Sequence, residues 1–322
     1  MIPNHLKGFF TSYKKNLCLK HKKEPHLEYF LRDLESSFRW TNLNMLIKVI
    51  ECKDGSAILM SNGKNSSEAY FGFTTFHNSK NKSDFWKKII STCKKMNIKR
   101  LKGPIHGTTF FPYRFISKSD GSSFFKGEFF STLKDHQFMK VLNPKNIITY
   151  SSGFRTNFNN VMEISKPYYD KHKNMGLVIK HWKSIDKYMS GELFKVIEKI
   201  FAYNWGYNKI SKEYFFNLFS FKNNVRPKMF LHTIHLNRKL IGFCNYIEND
   251  VNTLIFKTIG ILPEYQKMGI ANAVVYKMHA DATDSKYDKI IYALVKDDNR
   301  VKNMPNPDVT LFRSYASYEF DI

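Results

Sequence analysis

Long apolar runs are missing from this chain of 322 residues. None approaches the roughly 20 residues that a membrane-spanning helix needs, so no span is expected. Cysteine is scarce: Cys18, Cys52, Cys93 and Cys244 lie far apart, without a Cys-x-x-Cys pair or a companion histidine spacing. That pattern argues against a zinc site and predicts isolated, reduced thiols. The opening residues Met1 to Lys7 lack the charged start and apolar run of a secretory signal, and the expectation is a cytoplasmic protein. Acidic residues are also few, 28 against 51 Lys and Arg, for a formal charge of +23.

Hydrophobic residues make up 43% of the chain and aromatic ones 16%, enough for the cores of two ordinary domains. The charge is unevenly spread. Residues 1–150 hold 26 Lys and Arg against 11 Asp and Glu, residues 151–250 hold 16 against 8, and residues 251–322 hold 9 against 9. The basic surface therefore belongs mainly to the first half. It is either a solvated lysine-rich face or a surface that steers an acidic partner, such as a carrier protein or an RNA.

The most specific pattern lies in the neutral region. An apolar, β-branched run from Thr253 to Leu262 ends at Pro263, and Gln266-Lys267-Met268-Gly269-Ile270-Ala271 leads into a helical run from Asn272 to Ala282. The first amides of a helix have no internal partners, its dipole is positive at that end, and Gly269 removes a side chain where backbone must approach closely. Such a turn suits a pyrophosphate. It is not a Walker loop, because no Gly-Lys-Ser or Gly-Lys-Thr closes it, nor a dinucleotide fingerprint, because it has a single glycine.

Around this turn the periodicity predicts a strand at 177–180, helices at 190–203 and 211–219, and strands at 229–235 and 239–247 joined at Leu236-Asn237-Arg238. A strand over 289–295 and a closing segment over 309–320 follow. A weaker echo of strand, helix and strand occurs at 69–76, 83–96 and 99–105. Its loop, His77 to Lys82, contains no glycine. The join between the halves is expected near 150–160, where Ser151-Ser152-Gly153 and Asn157 to Asn160 interrupt the apolar pattern.

Gln-x-x-Gly-x-Ala after such a strand resembles the acyl-coenzyme A motif of the GNAT acyltransferase superfamily, and the element order over 176–322 resembles its fold. The whole chain resembles proteins with two GNAT-like domains in tandem, the first degenerate. Gly103 to Phe110 with Tyr113-Arg114-Phe115, the Asn204-Trp205-Gly206-Tyr207 turn and Lys257 to Pro263 carry that likeness. It implies an α/β (α+β) chain with a degenerate domain over 1–155 and a coenzyme-binding domain over 156–322. Each would be a mixed, largely antiparallel twisted sheet flanked by helices.

The implied activity is N-acyl transfer, with acetyl-CoA or another acyl-CoA as cosubstrate, no metal, and an amine-bearing acceptor. Backbone groups of Ile259, Gly260 and Ile261 would take the pantetheine arm between splayed strands, and Gln266, Lys267, Met268, Gly269, Ile270 and Ala271 the pyrophosphate. Asn299 would touch the arm or cap a turn. Tyr315 would be the general acid, with Tyr318 facing the other way. No general base is named: Glu248 and Asp250 lie at a strand end where solvated turn residues are expected, and strand histidines such as His232 and His235 are more often structural than catalytic. The first domain, without the glycine loop, would bind no second coenzyme. Alternative readings are a carrier-protein or aminoacyl-tRNA donor, as in Fem-type peptidyltransferases, and a non-catalytic coenzyme sensor or nucleic-acid-binding module.

Overall fold

Helices of this protein form where apolar residues recur every three or four positions. In the computed structural model, which describes residues 3–77, 83–182, 187–219, 229–299 and 308–322, α1 (Asn4–His21) buries Leu6, Phe9, Tyr13 and Leu17, and α2 (Leu27–Asn44) buries Phe30, Leu34, Phe38 and Thr41. Strands β1 (Leu46–Cys52), β2 (Gly55–Ser61) and β3 (Glu68–Phe76) follow as an antiparallel meander. Helix α3 (Ser83–Lys95) then crosses to β4 (Arg100–Gly103), which runs parallel to β3. Phe73 of β3 stands edge-on to Tyr13 and Phe38, while Phe71 meets Trp86 of α3. Strand β5 (Phe115–Ser119), helix α4 (Leu133–Lys140) and the first half of β6 (Asn146–Arg155) complete this stretch.

The next elements are α5 (Asn159–Asn174), β7 (Leu177–Trp182), α6 (Lys187–Phe201), α7 (Lys212–Phe219), β8 (Met229–Leu236), β9 (Lys239–Asp250) and β10 (Thr253–Ile261). Then come α8 (Ile270–Asp284), β11 (Lys289–Lys296) and β12 (Thr310–Asp321). β7 to β10 form antiparallel neighbours, β10 and β11 are parallel, and β6 lies on the far side of β11. Helix α8 lays Ile270, Ala273, Val274, Met278 and Ala282 on one face of this sheet, with Cys244, Tyr246, Leu254 and Phe256 beneath. Helix α6 covers the other face, where Phe201 meets Phe243. The β3–α3–β4 and β10–α8–β11 crossovers repeat one design, as the sequence echo suggested.

The chain divides into unit 1, Met1–Tyr150 with Arg313–Ile322, and unit 2, Ser151–Phe312. This differs from the expected 1–155 and 156–322 in two respects. The division falls inside β6, at the near end of the 150–160 stretch expected for the join, and Ser151-Ser152-Gly153 is there a buried piece of strand whose Ser152 hydroxyl accepts the Leu294 amide at 3.0 Å. The last ten residues also return to unit 1, where β12 pairs antiparallel with β4 and β5.

Two fully enclosed histidines, one in each unit, are held neutral. His106 donates from Nδ1 to the Pro112 carbonyl at 2.8 Å. His279 donates from Nδ1 to the Val275 carbonyl at 2.7 Å, and its Nε2 accepts from the Tyr292 hydroxyl at 2.5 Å. Burial pushes both from 6.5 to about 4. The unfolded chain protonates them at 6.5 while the folded chain does not, so their contribution is complete above that pH and lost on descent towards 4. Chemical denaturation at pH 7 and pH 5 is expected to show lower stability at pH 5, with a shallower decline in His279→Gln.

Candidate active site

The middle of the unit 2 sheet opens. Parallel pairing of β10 with β11 runs from Thr253↔Lys289 to Phe256↔Tyr292 and stops, although β10 continues to Ile261 and β11 to Lys296. Each strand has a local reason to part. In β10, Lys257 is an extra residue between the β9 pairs Phe256↔Tyr246 and Thr258↔Asn245, a bulge that bends the strand. In β11, Leu294 takes a left-handed φ of 59°, and its amide turns to Ser152. Burial changes at the same place: Thr253 to Phe256 are buried, whereas Lys257, Thr258 and Ile259 are half-exposed in the interior of a sheet. β10 thus has an edge with no strand against it there among the described residues.

The turn after β10 continues from that edge. A short 3-10 helix, Pro263–Tyr265, leads to Lys267 at φ 67° and Gly269 at φ 84°, and α8 begins at Ile270. The amides of Lys267, Met268, Gly269, Ile270 and Ala271 have no acceptor among the described residues; the next amide, Asn272, bonds the Gly269 carbonyl at 3.0 Å. Five consecutive donors at a helix N-terminus make an anion cradle. Gln266 fastens the turn to its strand by donating from Nε2 to the Ile261 carbonyl at 3.0 Å. Gly269 is needed for its left-handed φ and for space, because a Cβ there would lie 2.8 Å from Cδ1 of Tyr168 on α5.

Residues 195–303 match the Acetyltransferase (GNAT) family. They form a GNAT domain. No curated protein matches the sequence. Among solved structures, the chain is similar to a tandem GNAT protein from the clavulanic acid biosynthesis pathway, at 8% identity over 90% of this chain and 87% of that one, with a TM-score of 0.51. That similarity speaks to the tandem GNAT fold. L-PGS from Bacillus licheniformis, 8% identical over 92% of each chain, has a TM-score of 0.44. A GCN5-related N-acetyltransferase from Sphaerobacter thermophilus, 7% identical over 83% of this chain and 76% of that one, has the same score.

Within the GNAT domain, the sequence-predicted residues Ile259 to Ala271 lie together along the open edge and the turn. Ile259 and Ile261 face the α8 core, and Gly260 lies beneath Phe243 and Ile200, where a Cβ would meet both rows of side chains. Lys267 and Met268 are exposed, while Ile270 and Ala271 also pack into the core. Asn299 is exposed in the turn after β11, its amide bonded to the Lys296 carbonyl at 2.9 Å. No helix among the described residues is long and apolar enough to cross a membrane. The glycine-free segment 78–82 lies outside the described residues.

Other expected residues have partners that give them structural work. His232 lies in a buried group with Tyr246 and Asp281, at 3.2 Å and 3.4 Å from its Nε2, and Lys277 completes the group on Asp281. Glu248 accepts from Tyr287 at 2.5 Å, His235 bonds Thr233 at 2.9 Å, and Asp250 accepts the Asn252 amide at 3.0 Å. Sequence reasoning missed the α5 side chains under Gly269 and the Gln266 tether, neither of which follows from the turn's own spacing.

The largest correction concerns Tyr315. It belongs to unit 1, is 1% exposed, and donates its hydroxyl to Oε1 of Glu128 at 2.7 Å. Arg313 grips both Glu128 oxygens through Nη1 at 2.8 and 2.6 Å, and the Phe125 amide donates to Oε2 at 3.1 Å. Burial works against the Arg313 charge, and the Glu128 carboxylate more than offsets it. The environment does not suit a general acid, because the proton is committed to a carboxylate closed to solvent. Tyr318 is likewise buried, with its hydroxyl on His136 at 2.5 Å.

Two substitutions separate these roles. Tyr315→Phe is expected to lower stability by about 1.5–3 kcal/mol, the usual loss for a hydrogen bond to a charged group, measured by urea denaturation. Gly269→Ala is expected to lose about 1–2 kcal/mol from the left-handed backbone alone, with further loss from the Tyr168 contact.

Proposed function

We propose that this protein is an acyl-coenzyme A dependent N-acyltransferase that holds its donor along β10 and over the N-terminus of α8. The observation that carries the reading is the continuity of an open strand edge with five unbonded amides. A pyrophosphate requires clustered N–H donors in a positive field, and the turn supplies both without a carboxylate among residues 266–271. Lys267 adds a cation beside it. Backbone groups of Ile259, Gly260 and Ile261 suit the amide-bearing pantetheine arm, which would add to β10 as an extra strand. Asn299 is assigned to the same arm.

When bound, acyl-coenzyme A supplies an activated thioester, and acetyl-CoA is the donor favoured here. This chain's part is to fix that thioester where an amine can approach, since holding two reactants together removes much of the entropic barrier. No covalent bond to the protein is required.

Unit 1 contains the same crossover in a form that suits no second coenzyme. Past the paired part of β3, the Ile105 amide bonds the Phe71 carbonyl at 2.9 Å. The Ile105 carbonyl lies 1.8 Å from where a Gly72 Cβ would stand. The chain after β4 thus occupies the edge that is free in unit 2.

Calorimetric titration with acetyl-CoA is expected to give one site per chain. Met268 is 40% exposed, so Met268→Glu places a carboxylate at the cradle without disturbing the core. It is expected to weaken binding at least tenfold with an unchanged melting temperature. Equal affinity in the variant would remove the turn from the site, and two molecules per chain would contradict the reading of unit 1.

A further inference from the structure

The α6 face of the sheet carries a buried polar atom without a partner among the described residues, at the place where β10 and β11 part. Strand β9 alternates regularly here: Cys244 and Tyr246 face α8, whereas Phe243 faces α6. Asn245 therefore faces α6 as well. In register it lies between Leu231 of β8, fully buried, and Thr258 of β10, half-exposed and the first residue past the Lys257 bulge. Asn245 is 6% exposed. Its Nδ2 reaches only the Met229 sulfur at 3.9 Å, and its Oδ1 has no donor among the described residues.

A buried amide oxygen left unpaired is costly, and native proteins rarely leave one without a reason. Here the cost is incurred beside a half-open stretch of β10 in the interior of the sheet. Neighbouring strand positions offer it nothing: Leu231 is apolar, and Thr258 makes no bond to it. Among the described residues, the Asn245 Oδ1 lacks an N–H donor.

We propose that Asn245 Oδ1 binds the nitrogen of the acyl acceptor, a primary amine, and holds it on the α6 side of the open edge. The proposal rests on the acyl-transfer reading above. An amide oxygen can take a hydrogen bond from the amine while leaving the nitrogen lone pair free for attack. It carries no net charge that would hold the amine as an ammonium ion. The Asn245 amide thus orients the nucleophile without deprotonating it.

The test uses the full chain, 15N-labelled and loaded with coenzyme A, titrated with spermidine, glucosamine and lysine as amine probes. At least one is expected to shift the Asn245 side-chain amide resonances. Coenzyme A that binds while no amine moves those resonances would overturn this proposal alone. Coenzyme A that fails to bind the wild type would overturn the acyl-transfer reading and the proposal with it. Asn245→Leu provides the second arm, because an apolar side chain of similar size removes the unpaired oxygen. Its melting temperature is expected to equal or exceed that of the wild type, with coenzyme A affinity within twofold and the amine KM raised at least tenfold. A melting temperature lowered by several degrees with an unchanged amine KM would make Asn245 a packing residue and refute the assignment.

Discussion

Two neighbouring strands that stop pairing while both continue are the constraint on which the unit 2 site depends. The extra Lys257 shifts the register of β10 against β9, and the left-handed Leu294, its amide held by Ser152, lies on β11 past the last β10 pair. Without Ser152, the Leu294 amide would be a half-buried donor without this acceptor, and a strand conformation would be the cheaper alternative. The opening is therefore specified by local backbone features whose partners lie on β6 and β9, and the cradle at α8 only extends an edge that already exists.

How much of this was readable depends on how local each feature is. The strand, turn and helix over 253–284 are set by residues within a few positions of one another, and their boundaries follow the pattern closely. The hairpin of β8 and β9 is equally local. The partners of Gly269 are not: Tyr168 and His172 lie on α5, a helix whose apolar positions are diluted by charged residues and interrupted by Pro167. Alternation within β12 was legible, but the choice of sheet was not. A strand of alternating apolar residues can pair with any suitable edge, and what selects unit 1 is Glu128, buried far away in sequence and waiting for Arg313. Asn245 was silent for another reason, since an unsatisfied atom is defined by what its surroundings lack.

The repeated crossovers show how a shared scaffold can lose an opening. In both units a helix links two parallel strands, but the short β3–β4 ladder ends against Ile105, whose own backbone supplies the missing neighbour. Gly72 records that substitution: no side chain fits there because another part of the chain already does. Unit 1 thus covers with its own backbone the edge that unit 2 leaves open, and Phe10 stacks on Phe38 at 4.1 Å in its aromatic core.

The return of the last strand to unit 1 sets an order on how the molecule can be made. Unit 1 is synthesised first, yet β4 and β5 have no β12 beside them, and Glu128 has no Arg313, until all of Ser151–Phe312 has left the ribosome. A buried carboxylate without its cation is expensive, so the nascent first unit must hold that region open to water while the second is made. Unit 2 carries its own central strands within one continuous segment and faces no such delay. Unit 1, though earlier in sequence, thus depends on β12 for its completion.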